Sequence, residues 1–129
     1  MHIVVIDSSQ LAGETDFPML DMDKYGWQQF MQLEESEVAD RCWRSDVIIS
    51  VATPVTRATI DKAYKLQLII AASDNTSHID LDAARERGIA VCNTPGLSPA
   101  NATQSQTICN QVINNINAWL KKQPVNMIT

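Results

Sequence analysis

Short blocks of unbroken apolar residues alternate along this chain with longer stretches of mixed polarity. His2 to Ile6, Asp46 to Val51 and Leu66 to Ala72 are dominated by Ile, Val and Leu, and each is closed by turn-forming residues: Asp7-Ser8-Ser9, Thr53-Pro54 and Ser73-Asp74-Asn75. Runs of this kind predict strands buried on both faces, as in a parallel sheet. Trp27 to Leu33 alternates loosely and predicts a further strand, and Ile89 to Cys92 a fifth.

Between the strands the period changes to that of a helix. Asp16-Phe17-Pro18 opens a predicted helix that Gly26 ends. Ser36 is placed to cap a second, with Val38, Ala39, Cys42 and Trp43 on one side, and Thr56 starts a third carrying Ile60, Ala63 and Tyr64. Asp80 caps a fourth, Asp82 supports its first turn, and Gly88 stops it. In the last helix Ile108, Cys109, Val112, Ile113, Ile116, Trp119 and Leu120 form one stripe. Asn110, Gln111, Asn114, Asn115 and Asn117 are expected outside it, and Pro124 ends the helix. Strand and helix alternate, which predicts a three-layer α/β fold, Rossmann-like in its right-handed crossovers. Five strands suit the flavodoxin-like doubly wound order.

Composition narrows the function. The 129 residues read as a single domain spanning 1–129, with a hydrophobic fraction of 45%. A net charge of −5 with scattered Lys and Arg excludes a nucleic-acid surface. No apolar run approaches the ~20 residues of a membrane helix, and no signal-peptide pattern opens the chain, so a cytoplasmic protein is expected; the residues leave the oligomeric state open, a monomer being slightly favoured. Cys42, Cys92 and Cys109 are widely spaced and fall on apolar faces, so they are expected in the core. His2 and His78 lack the neighbours of a triad or a metal site.

The loop from Ala71 to His78 lies beyond the carboxyl end of a predicted strand, where doubly wound sheets bind ligands. From the residues alone it is either a solvated turn leading to the Asp80 cap or a cradle of backbone N–H groups for a small carboxylate. Ser50-Val51-Ala52-Thr53-Pro54 lines the same rim and reads as a plain strand-to-helix turn. After the first strand only Asp7 is acidic, which excludes a phospho-acceptor site, and no glycine precedes Gly13, which excludes an FMN phosphate loop. The four glycines, Gly13, Gly26, Gly88 and Gly96, form no Gly-x-Gly-x-x-Gly.

The run Asp80 to Pro99, with its Asn93-Thr94-Pro95-Gly96 turn and Ser98-Pro99, closely resembles the NAD-dependent D-2-hydroxyacid dehydrogenases, glycerate and hydroxypyruvate reductases among them. In that family the segment matching Ser73–Leu81 reads like Ala-Thr-Gly-Thr-Asn-Asn-Val-Asp-Leu, and its amides hold the substrate carboxylate. Thr76, Asp80 and Leu81 match, Ile79 replaces a valine, and Asn75 stands in the glycine position, where it is expected to tolerate positive φ. The resemblance therefore implies Ser73, Asp74, Asn75 and Thr76, with Ala52 and Thr53 across the rim, as substrate-binding residues. Asp74 would repel an anion, and Ala52 stands where the family often carries lysine, so binding of a 2-hydroxy or 2-keto acid is expected to be weak.

The resemblance also implies what is missing. The family's nucleotide-binding domain follows the Pro-Gly-x-Ser-Pro segment and supplies the glycine fingerprint and the catalytic Arg, Glu and His. Here Ser98 to Asn101 runs into Ala102-Thr103-Gln104, similar to the start of the family's C-terminal helix, and Gln123 to Asn126 resembles its usual end. The expectation is an isolated substrate-binding domain joined near 101–102, with no catalytic, cofactor-binding or metal-binding residues, fused there into one helix from Ser98 onward. A stand-alone flavodoxin-like module that binds a ligand or protein at the strand ends is the alternative.

Overall fold

The β-branched runs form the strands they predict. In the computed structural model, which describes residues 1–129, β1 (His2–Val5), β2 (Gly26–Gln29), β3 (Val47–Ser50), β4 (Leu68–Ala71) and β5 (Ala90–Cys92) make one sheet in the order β2-β1-β3-β4-β5. Every pairing is parallel. This is the flavodoxin-like order, and its switch point lies between the paired strands β1 and β3. The two faces of the sheet divide the core by strand parity. Val4, Ile6, Ile48, Ile69 and Val91 point to the face covered by α1 (Val38–Cys42), α2 (Arg57–Lys62) and α3 (Leu81–Glu86). Ile3, Val5, Val47, Ile49, Leu68 and Ile70 point to the face covered by α4 (Ser105–Leu120).

Two predicted caps are in place. The Asp80 carboxylate accepts from Ala83 N–H at 3.0 Å, and the Thr56 hydroxyl from Thr59 N–H at 3.4 Å. Gly88 takes φ +66 past the end of α3, a conformation that ends the helix at little steric cost. Cys42, Cys92 and Cys109 are all buried and unpaired. Burial pushes the Cys42 thiol up to about 12 and the Cys92 thiol to about 11, so neither is a nucleophile at neutral pH.

Several expectations give way. No α-helix forms between Asp16 and Gly26; the segment is irregular, and Gly26 begins β2. Its backbone is held instead by side chains from elsewhere. Gln106 on α4 accepts from Asp16 N–H and donates to Asp16 O, Asn117 accepts from Asp21 N–H, and the Tyr25 hydroxyl accepts from Leu20 N–H. Leu11 and Leu20 still reach the α4 core. Ser36 caps nothing: it lies in a 3-10 turn, and α1 starts two residues later without a side-chain cap. Trp43 and Tyr64 leave the core, 43% and 60% exposed, and lie against each other with ring centroids 6.4 Å apart.

The last helix begins at Ser105, not at Ser98-Pro99; residues 98–104 form turns braced by Asn101, whose Oδ1 accepts from Thr103 N–H. The apolar stripe is as expected at Ile108, Cys109, Val112, Ile113 and Ile116. Asn115 is not outside it. It is fully buried, donates to Asn93 O at 2.9 Å and accepts from Gln111 and Asn126. Ser105, at the start of the helix, is also fully buried. The tail returns along β5, with Ile128 N–H donating to Val91 O and Val91 N–H to Thr129 O, so this sheet edge is covered.

Candidate site at the carboxyl ends of the strands

Asp7, at the end of the β1 run, has no exposed surface, and its carboxylate organises the neighbouring loop. Oδ1 accepts from Val51 N–H, and Oδ2 from both Ala52 N–H and Thr53 N–H, each at 2.8 Å. Three amides converging on a carboxylate make an anion nest whose anion belongs to the protein. Ser50 closes the turn from below, donating its hydroxyl to Thr53 O at 2.6 Å. Gln32 ties it to the β2 side by donating to the Thr53 hydroxyl at 2.9 Å. Ala52 and Thr53 thus line an open cleft of about 460 Å³ together with Gln10, Gln32, Glu34 and Glu35, but their amides are already satisfied.

The next loop is built differently. Ser73 is buried and donates its hydroxyl to Asn75 O at 2.6 Å, while Asn75 Oδ1 accepts from Ser77 N–H at 3.0 Å. Asn75 does not take positive φ; the side-chain turn does what a left-handed residue would have done. The N–H groups of Ser73, Asn75 and Thr76 find no acceptor within the chain. Asp74, expected to face an incoming anion, is engaged sideways: its Oδ1 accepts from Gly96 N–H at 2.8 Å, and its amide donates to Leu97 O. Thr94, beside Ser73 through a Thr94 N–H to Ser73 O bond, is fully buried with a hydroxyl that has no partner.

Both loops meet at His78. Its Nε2 lies 3.3 Å from Ser50 O, and its own carbonyl accepts from Val55 N–H. Burial holds the imidazole below its ordinary pKa, and the Ser50 carbonyl and the Asp7 charge pull back against that. The six residues implied by sequence therefore lie in two adjoining loops, Ser73 to Thr76 in one and Ala52 with Thr53 in the other. Sequence reasoning missed Asp7, His78 and Thr94 as parts of the rim. Asp7 carried a signal, since an acid closing a buried strand must find donors.

A parallel sheet of this order with helices on both faces defines a doubly wound α/β domain. The comparisons place it more closely. Residues 5–128 match the catalytic domain of the D-isomer specific 2-hydroxyacid dehydrogenases, and the chain belongs to that family. A putative 2-hydroxyacid dehydrogenase of Haemophilus influenzae is 28% identical over 130 residues, covering 95% of this chain and 39% of that protein. Hydroxypyruvate reductase of Thermotoga maritima is 31% identical over 94 residues, covering 64% of this chain and 31% of that protein. The chain thus spans well under half the length of these relatives. In structure it resembles NAD+-bound 3-phosphoglycerate dehydrogenase of Entamoeba histolytica, with TM-score 0.61 and 23% identity over 74% of this chain and 33% of the other, a likeness of fold.

Proposed function

We propose that this chain is the substrate-binding domain of an NAD-dependent D-2-hydroxyacid dehydrogenase, made of two family segments joined near 101–102. On its own it holds a small 2-hydroxy or 2-keto acid weakly, and it neither binds NAD nor transfers hydride. The observation that carries this reading is the set of free amides at Ser73, Asn75 and Thr76, in the loop where the resemblance put the substrate carboxylate. Unpaired amide donors close together in one turn suit a carboxylate, whereas a side-chain anion already fills the neighbouring loop.

The residues present do not fit NAD. A pyrophosphate needs a glycine-rich turn opening onto a helix N-terminus. The N-terminus of α3 is closed by the Asp80 carboxylate, and α2 is a six-residue helix capped by Thr56. Gly13, Gly88 and Gly96 take positive φ in three separate turns. Calorimetric titration with NAD should give no saturable heat in the micromolar range, and addition of D-2-hydroxy acids should give no NADH absorbance. Micromolar NAD binding or NADH formation would refute the reading.

The acidic rim favours the second reading, a module that binds a neutral or cationic partner. Glu34 and Glu35 line the cleft beside Ala52, and Asp74 lies on the far loop. A panel of 2-hydroxy and 2-keto acids separates the two, because only the first reading expects saturation by acids.

A further inference from the structure

A second site lies at the opposite end of the sheet, where β1 and β2 begin. A recess of about 180 Å³ is lined by His2, Val4, Gln28, Asp40, Arg41, Trp43, Arg44 and Ser45, far larger than the ~10–15 Å³ that admits one water. The chain carries a net charge of −5, yet two arginines without a carboxylate partner face this one recess. Each is held by an aromatic ring: Arg44 Cζ lies 5.1 Å from the Trp43 centroid, and Arg41 Cζ lies 5.8 Å from that of Phe30. Stacking fixes the guanidinium plane and leaves its N–H edge free to donate.

Ser45 also lines the recess, but its hydroxyl is buried on the side of the Cys42 thiol, where it offsets in part the rise that burial imposes. The single acid on the wall, Asp40, is neutralised by Lys62 at 2.5 Å, which also holds its carboxyl below the usual range.

We infer that this recess binds a phosphate-class oxyanion, clamped between the Arg41 and Arg44 guanidinium groups. Two forked donors suit a tetrahedral anion with several acceptor oxygens. The source is either free phosphate or the phosphoryl end of a small monoester. The site is separate from the rim at the carboxyl ends of the strands.

The test is a residue-resolved NMR titration of the 129-residue chain with inorganic phosphate, and in a second arm with glycerol phosphate, at constant ionic strength. Saturable shifts are expected at His2, Arg41, Arg44 and Ser45, and the arm that saturates first identifies the source. The double variant Arg41→Gln, Arg44→Gln should weaken binding by at least about tenfold, as expected for losing charge-assisted bonds. The inference fails if neither arm saturates or if the double variant binds as before.

Discussion

The loops that follow β3 and β4 leave the sheet side by side, and their backbone amides have opposite fates. After β3, Val51, Ala52 and Thr53 all donate to one buried carboxylate from the end of β1. After β4, Ser73, Asn75 and Thr76 donate to nothing in the chain, because the acceptors nearby are used within the turn or, as with Asp74, turned toward Gly96. The first loop's donors are satisfied by the protein itself, and the second's are left unpaired, which is what the proposed function asks of a binding loop.

The largest effect is expected from Asp7→Ala, which removes the acceptor of three amides, two of them on buried residues. Chemical denaturation should show a loss of about 3–5 kcal/mol, from orphaned buried donors. Ile116→Ala comes next. Its side chain is fully buried between α4 and the sheet, so truncation should cost roughly 2–5 kcal/mol without shifting the amide resonances of either loop. An unchanged midpoint would mean that α4 does not hold the sheet face. The proposed junction of the two family segments, near 101–102, lies in the turns just before that helix.

His78 bridges the two loops and gives a pH test. Its native pKa is lowered by burial, so the unfolded chain takes up the proton first as pH falls. The contribution to stability is full above the ordinary histidine value of about 6.5 and is lost as pH falls through it toward the lower native value. Denaturation midpoints between pH 8 and 5 should show this fall, and His78→Gln should flatten it. The smallest effect is expected for Asp74→Asn, which keeps an oxygen for Gly96 N–H and removes a negative charge from the rim. Carboxylate affinity should rise a few-fold, by the few tenths of a kcal/mol to ~1 kcal/mol typical of an exposed charge.

The strands were legible because Ile, Val and Leu runs have one stable use in a parallel sheet, and the helix caps at Thr56 and Asp80 because their partners are three residues away. The helix expected after Asp16 failed for the opposite reason. Pro18 and Gly26 punctuate the segment correctly, but its backbone partners are Gln106 and Asn117, about 90 residues downstream. Asn115 was misplaced because periodicity counts asparagine as an outward residue and cannot foresee that Asn93, Gln111 and Asn126 converge on it. At the site, the Ser73–Thr76 loop could be read from its local turn chemistry. The role of Asp7 could not, since its donors lie 44 to 46 residues away and meet it only once β1 and β3 pair.

The contrast between the loops is tested most directly by titrating the isotopically labelled chain with a D-2-hydroxy acid such as glycerate and following the backbone amides. The account predicts saturable shifts at Ser73, Asn75 and Thr76, with Val51, Ala52 and Thr53 unmoved because Asp7 already occupies them. Shifts at Val51 to Thr53 without shifts at Ser73 to Thr76, or no saturable shift in either loop, would contradict it.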